Sequence, residues 1–67
     1  MPKRYPKYFE ATYKNTLAGY TCGSWDAYKN RLSWLSRNYP DLELVFREWS
    51  DGTVEDGIIE KEDWNIG

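Results

Sequence analysis

The sequence predicts a small α+β domain, in which one helix packs on one face of an antiparallel sheet of three or four strands in the order β(β)αββ. Three observations lead to this fold class. Apolar and polar residues alternate over residues 8–14, apolar residues recur at helical spacing over 25–38, and an Asp-Gly pair separates two apolar runs at 42–49 and 53–60. No repeat, low-complexity tract or Gly/Ser linker divides the chain, so we predict that residues 1–67 form a single domain.

The first strand is predicted at residues 8–14, where alternate residues from Phe9 to Tyr13 would lie on one face of the sheet. Residues 15–23 contain two glycines and leave two structures open, a long loop or a second strand that pairs with the first. We favour a short strand at 17–21.

The helix is predicted at residues 25–38, because its expected ends are both marked. Ser24 is a good N-cap residue and Asp26 suits the first turn, whereas Arg37 suits the last turn and Pro40 prevents continuation. At about 100° per residue, one stripe of apolar side chains would face the core. This stripe consists of Trp25, Tyr28, Leu32, Leu35 and Tyr39.

A hairpin is predicted at 42–49 and 53–60, with Asp51 and Gly52 as a two-residue turn. The pairs expected from such a turn are Trp49 with Val54, Arg47 with Asp56, Val45 with Ile58 and Leu44 with Ile59. The face expected to meet the helix holds Leu42, Leu44, Phe46 and Ile59. Trp49 would then lie on the opposite face, which a single helix cannot also cover.

The two ends of the chain are predicted to lie outside these elements. Residues 1–7 carry Lys and Arg interleaved with Tyr and Pro, and we expect a flexible basic arm, whereas 61–67 are expected to form an acidic tail. No apolar h-region follows the N-terminal charges, and no apolar run approaches the roughly 20 residues of a membrane span. The expectation is therefore a cytoplasmic protein with no membrane contact.

The composition argues against catalysis and against bound cofactors or metals. The chain has one Cys and no His, which rules out an internal disulfide, an ordinary zinc site and the commonest catalytic base. The glycines at 19–23 lack the Lys and the helix-opening spacing of a phosphate-binding loop. Cys22 is either a reactive thiol or a small buried hydrophobe, and we favour burial. We expect a protein that is not an enzyme and that has no catalytic, cofactor or metal site.

Charge is distributed unevenly between the two ends of the chain. Residues 1–40 carry seven Lys and Arg against two Asp and Glu, whereas residues 41–67 carry two against nine. Carboxylates on alternate strand positions are about 6.6 Å apart, close to the spacing of phosphates along a nucleic acid. A row of them could therefore resemble a nucleic-acid backbone and bind in a basic groove of another protein. The alternative is that these acids only solubilise the hairpin, protect its edges or pair with the basic half of the chain.

Aromatic residues outside the predicted core are the second sign of a binding surface, because Trp and Tyr beside Arg are common in interface hot spots. Trp34 falls away from the helix stripe near Arg31, and Trp49 lies near Arg47. The alternative is that the two ends of the chain wrap over these rings and make them peripheral core. The candidate protein-binding residues are Trp34, Arg31, Trp49, Glu43, Glu55, Asp56, Glu60, Glu62 and Asp63.

These observations favour a non-catalytic protein-binding domain, a small inhibitor or adaptor whose partner is a larger, basic protein, with nucleic-acid-handling proteins as one class of candidate. In size and charge the chain is similar to phage-encoded anti-defence inhibitors, anti-CRISPR proteins among them, although no motif identifies it as a member of a named family. The first alternative is a homo-oligomer, by default a two-fold homodimer. The second is a module for single-stranded nucleic acid that uses the N-terminal Lys, Arg and Tyr, against which the sequence pI of about 5.0 argues.

Overall fold

A computed structural model of the protein describes residues 4–65. It confirms the α+β class: one helix, α1, lies between the second and third strands of a four-stranded antiparallel sheet with the order β2-β1-β3-β4. The elements are β1 Pro6–Tyr13, β2 Thr16–Thr21, α1 Trp25–Asn38, β3 Glu43–Trp49, β4 Val54–Ile59 and a 3-10 helix at Lys61–Asp63. Central strands β1 and β3 pair with each other, so β2 and β4 form the sheet edges.

The second strand, which the sequence left open, is present and pairs with β1 along its whole length. The turn between them has two residues, Lys14 and Asn15, which both have positive φ angles of 47° and 65°. Two positive φ values in a two-residue loop are typical of a type I′ turn, whose twist matches that of the flanking strands. This turn sets Tyr13 opposite Thr16 and fixes the register of the hairpin.

The helix begins and ends where the sequence predicts. The Ser24 hydroxyl accepts a hydrogen bond from the Ala27 amide at 3.1 Å, which satisfies one of the free N–H groups of the first turn. Of the predicted apolar stripe, Tyr28, Leu32 and Leu35 are buried. The two ends of the stripe, Trp25 and Tyr39, are only partly covered.

The predicted two-residue turn between β3 and β4 is wrong. The Trp49 amide donates to the Thr53 carbonyl at 2.8 Å, so the loop contains three residues, 50–52. Gly52 has a φ of +94°, and a three-residue hairpin loop places such a residue at its end. Near the turn, Arg47 therefore pairs with Glu55 rather than with Asp56.

Further from the turn, the register returns to the predicted pair of Leu44 with Ile59, through an irregularity between Leu44 and Phe46. The pairing of β3 with β1 is irregular in the same region. Between the pairs made by Glu10 and Ala11 of β1, β3 contains one additional residue. A bulge of this kind reverses the alternation of faces along the strand. Leu44 and Arg47 consequently both face the helix, and the expectation that Phe46 lies in the core is wrong.

Both ends of the described chain are attached to the domain. Pro6 and Lys7, predicted as part of a flexible arm, belong to β1, and the Tyr5 amide donates to the Ser50 hydroxyl at 3.0 Å. The expected acidic tail is attached as far as it is described: Glu62 and Asp63 are exposed acids, but a 3-10 helix leads into Trp64, which is buried in the core. The remainder of the predicted arm and tail, residues 1–3 and 66–67, lies outside the described residues.

The helix covers one face of the sheet, which we call the inner face. It is formed around Phe9, Ala11 and Leu44, onto which Leu32 and Leu35 of the helix pack. No described element covers the opposite face, which we call the outer face. The domain is thus two layers thick, with a single core.

This packing predicts a large difference between two neighbouring helix positions. Leu32→Ala removes a side chain that is 3% exposed, and we expect it to lower the free energy of unfolding by about 2–5 kcal/mol. Trp34→Ala truncates a ring that is 47% exposed and should cost a small fraction of that. Urea denaturation followed by circular dichroism measures both. If Leu32→Ala leaves no folded protein while Trp34→Ala still folds, the expected order holds; equal losses for the two variants would contradict the helix orientation.

Candidate protein-binding surface

The inner face contains one buried charge, the guanidinium of Arg47, whose residue is 2% exposed. Its Nε donates to the Glu55 carboxylate at 2.7 Å. Its Nη1 donates to the Tyr28 hydroxyl at 3.0 Å and to the carbonyl oxygens of Asp63 and Trp64 at 3.3 and 3.0 Å. These contacts join β3 to β4, to the helix and to the segment after the 3-10 helix.

Aromatic rings enclose this guanidinium. Its central carbon lies 4.7 Å from the ring centroid of Trp49 and 5.9 Å from that of Tyr28, within the range of cation–π attraction. The Tyr28 hydroxyl itself donates to the Trp64 carbonyl. The part of the chain that the structure describes contains no buried side-chain nitrogen or oxygen without a hydrogen-bond partner. The guanidinium is therefore paired with a carboxylate, and its buried donor atoms are hydrogen-bonded.

Two of the predicted binding residues belong to this interior cluster. Trp49, expected on the uncovered face, is 1% exposed, and its Nε1 donates to the same Glu55 oxygen that Arg47 contacts, at 2.6 Å. The expectation of an exposed Trp49 is wrong because the three-residue turn and the bulge direct Arg47 and Trp49 inwards. Glu55 is half-buried and its carboxylate is engaged by both residues.

Protonation in the cluster follows from these contacts. Hydrogen bonding to Arg47 holds the pKa of Glu55 below its ordinary value, and the Trp49 indole contributes in the same direction although burial opposes it. Burial alone would lower the pKa of Arg47, but its hydrogen bonds to Glu55 and Tyr28 outweigh this and raise it. Burial also raises the pKa of the Tyr28 hydroxyl. Near neutral pH the cluster is a carboxylate, a guanidinium cation and a neutral phenol.

The outer face has an aromatic centre. Tyr8 of β1 and Phe46 of β3 meet edge to face there, with their ring centroids 6.0 Å apart. Gly19 of β2 lies beneath the Tyr8 ring, and a Cβ atom at that position would be only 2.2 Å from the Tyr8 hydroxyl oxygen. Gly19 therefore allows the ring to lie across the sheet. The Tyr8 hydroxyl donates to Glu10 at 2.8 Å, which raises the pKa of Tyr8.

Aliphatic side chains extend this apolar centre to the edges of the sheet. Leu17 on β2 is 57% exposed, and Val54 and Ile58 on β4 are 52% and 65% exposed. Strand register places Leu17 opposite Thr12 and Val54 opposite Glu48, both on the outer face. Ile58 also lies on the outer face, because its neighbour Ile59 packs on the core and adjacent strand residues point to opposite faces.

Carboxylates surround the same apolar centre. Register and alternation place four of them on the outer face: Glu10, Glu43, Glu48 and Asp56. Among residues 4–65, the cation paired with one of these carboxylates is Lys7, whose Nζ lies 3.4 Å from Glu48. The outer face thus combines exposed apolar surface with net negative charge.

The structure separates the predicted binding residues into four places. Glu43 and Asp56 lie on the outer face, and Trp49 and Glu55 lie in the interior cluster. Trp34 and Arg31 are exposed on the helix, where the Arg31 guanidinium lies 5.8 Å from the Tyr20 ring rather than against Trp34. The remaining three, at the C-terminal end, are exposed residues in or beside the 3-10 helix: Glu60, Glu62 and Asp63.

Sequence reasoning missed the aromatic centre of the outer face and the orientation of Glu48. Tyr8 could have been assigned from the alternation of β1, because it shares a side with Glu10. Phe46 and Glu48 could not, since their orientation depends on a bulge that has no signature in the sequence. The need for glycine at position 19 becomes apparent only when the strand register places it beside Tyr8.

Other candidate chemistry in the described residues is limited. Cys22 is buried in the core, as expected, and burial raises the pKa of its thiol. Within residues 4–65 no group of three or more Cys, Asp or Glu side chains is arranged to hold a metal ion. The helix that the structure describes is not long and apolar enough to cross a membrane.

The interior cluster predicts a pH-dependent contribution to stability. Glu55→Gln should lower the free energy of unfolding by about 1–2 kcal/mol at pH 7, because Arg47 loses a charged acceptor that is itself partly exposed. Since folding lowers the pKa of Glu55, its contribution is complete above the ordinary value of 4.5 and is lost as the pH falls through the folded value. Urea midpoints of wild type and Glu55→Gln should therefore converge on acidification.

Glu60→Gln is the matched control, because Glu60 is exposed and lies outside the cluster. It should keep the wild-type midpoint at pH 7. A gap between wild type and Glu55→Gln that stays constant down to strongly acidic pH would show that the carboxylate charge of Glu55 does not stabilise the fold.

Comparison with models of known protein families, with curated proteins and with solved structures finds no match for this chain.

Proposed function

We propose that this protein is a non-catalytic protein-binding domain that presents its outer face to a basic surface of a larger protein, as an inhibitor or adaptor. The observation that carries the proposal is the uncovered outer face, where an aromatic and aliphatic centre is surrounded by carboxylates. A phage-type inhibitor of a nucleic-acid-handling protein is the specific form that we favour, because such partners contain basic grooves.

The apolar centre supplies a reason for binding. Leu17, Val54 and Ile58 each expose more than half of their surface, and they share one face with Tyr8 and Phe46. Exposed apolar side chains grouped on one face and interleaved with charged groups are typical of an interaction site on a small domain. Burial of such a centre, with aromatic rings at its middle, provides most of the affinity of a typical interface.

The carboxylates select the kind of partner. Surface charges of one sign accelerate association with a surface of the opposite sign and penalise a like-charged one. A nucleic-acid backbone would be repelled by Glu10, Glu43, Glu48 and Asp56. Two copies of the domain that met through their outer faces would also bring these like charges together. The same features that favour a basic protein therefore disfavour both nucleic acid and a face-to-face homodimer.

The test is a charge reversal confined to the outer face. Glu43→Lys with Asp56→Lys changes two exposed carboxylates that have no role in the interior cluster. Tagged wild type should retain a protein from a bacterial lysate, and that protein, once identified and purified, should bind the variant at least about tenfold more weakly. Circular dichroism establishes that the variant is folded. Binding to wild type should also weaken as salt is raised.

The matched control is Asp41→Lys with Glu62→Lys, which makes the same change in net charge on exposed residues away from the outer face. It should keep wild-type affinity. Loss of binding in the control together with full binding by the outer-face variant would move the site to the C-terminal acids. Wild type that is dimeric in solution and retains no protein would favour self-association instead.

A further inference from the structure

A second surface feature lies on the inner side of the sheet, where the last turn of the helix leaves part of β2 uncovered. It is an open cleft of about 390 Å³ between the β1–β2 hairpin and the last turn of α1. Its walls include three tyrosines, Tyr13, Tyr20 and Tyr39, and we call it the tyrosine cleft. It is on the opposite side of the sheet from the outer face, so the proposed protein-binding surface does not account for it.

Small residues create the depth of the tyrosine cleft. Ala11 and Ala18 pair across β1 and β2, where larger side chains would fill the space beneath the helix end. Leu35 and Leu42 complete an apolar base. The volume falls within the roughly 300–1,000 Å³ typical of small-molecule sites, and so does the combination of an apolar base with a few polar groups.

The tyrosine rings set the shape of what could bind. Tyr13 and Tyr39 touch each other, with centroids 4.7 Å apart and planes inclined at 51°. Tyr20 stacks on Phe9 beneath it, with centroids 5.1 Å apart, which holds its ring in place. No slot is left between the first two rings, so a ligand would lie against their faces. A flat aromatic ring makes the largest contact with such a surface.

The charges around the tyrosine cleft favour an anionic ligand over a cationic one. A cluster of tyrosines can form a cage for a cation, but here two side-chain cations of the protein already lie near two of the three rings. Lys14 Nζ lies 5.4 Å from the Tyr13 centroid, and the Arg31 guanidinium lies 5.8 Å from that of Tyr20. None of the described residues that line the cleft is acidic. A second cation would be repelled, whereas a negative group would be attracted.

We propose that the tyrosine cleft is a binding site for a small aromatic anion, whose ring lies on the tyrosine faces and whose negative group is near Lys14. This function is separate from protein binding by the outer face, and it does not depend on it. Lys14 is in the β1–β2 turn, at a positive φ that the type I′ geometry fixes, so its backbone position is set by the fold.

The test uses two probes that share an indole ring and differ in charge, indole-3-acetate and tryptamine. Titration of the ¹⁵N-labelled protein should give saturable amide shifts at Ala11, Ala18, Tyr20 and Leu35 with indole-3-acetate. The dissociation constant should be about 1 mM, as expected for a ligand of this size. Tryptamine should bind at least about tenfold more weakly, because its charge is reversed.

Two matched lysine variants locate the anion. Lys14→Gln should weaken indole-3-acetate about fivefold, whereas Lys29→Gln, on the helix beside Trp25, should leave its affinity unchanged. Absence of saturable shifts, equal affinity for both probes, or no effect of Lys14→Gln would each overturn the proposal. Tighter binding of tryptamine would identify the cleft as a cation cage, which also overturns it.

Discussion

The guanidinium of Arg47 connects parts of the chain that are distant in sequence. It donates one hydrogen bond to the Glu55 carboxylate of β4, and others to the helix tyrosine Tyr28 and to two carbonyl oxygens near the C-terminus. A buried cation is costly unless every donor is satisfied, so the positions of Tyr28, Glu55 and the carbonyl of Trp64 are coupled. In a chain of 67 residues, which has room for only a small core, this coupling fixes how the helix, hairpin and C-terminal segment meet.

The interior cluster also determines the surface. Leu44 and Arg47 can both face inwards only if β3 contains a bulge between them, and the bulge turns Phe46 and Glu48 outwards. The result is a domain with two different sides. The outer face combines aromatic and aliphatic surface with carboxylates, whereas the exposed side of α1 carries Lys29, Arg31 and Arg37 against Asp26 alone. This segregation of charge supports a directional interaction with one basic partner.

Much of the fold could be predicted from the sequence, because the local signals agree with one another. The helix has a cap at each end, and β1 alternates in a simple way. The sequence predicts the β3–β4 hairpin, but with the wrong register near the turn, because Asp-Gly suits both a two-residue turn and the end of a three-residue loop. Strict alternation then predicts Phe46 inwards and Trp49 outwards, because it does not include the bulge that reverses the faces of β3 after Leu44.

The candidate site was harder to predict for the same reason. The sequence predicts Trp49 and Glu55 as surface residues, yet both contact the buried Arg47 guanidinium, which the pattern of polarity cannot reveal. The roles of Phe46 and Gly19 in the outer face depend on their contacts with residues of neighbouring strands. Local patterns indicate where strands lie, whereas long-range hydrogen bonds decide which side of each strand is exposed.

The most direct measurement is photo-crosslinking from two positions to the protein that the wild type retains. A photoreactive phenylalanine analogue at position 58, on the outer face, should form a crosslink to that partner upon illumination. The same analogue at position 34, exposed on the helix, should not. Crosslinks from position 34 and none from position 58 would contradict the central claim, and they would place the partner on the helix instead.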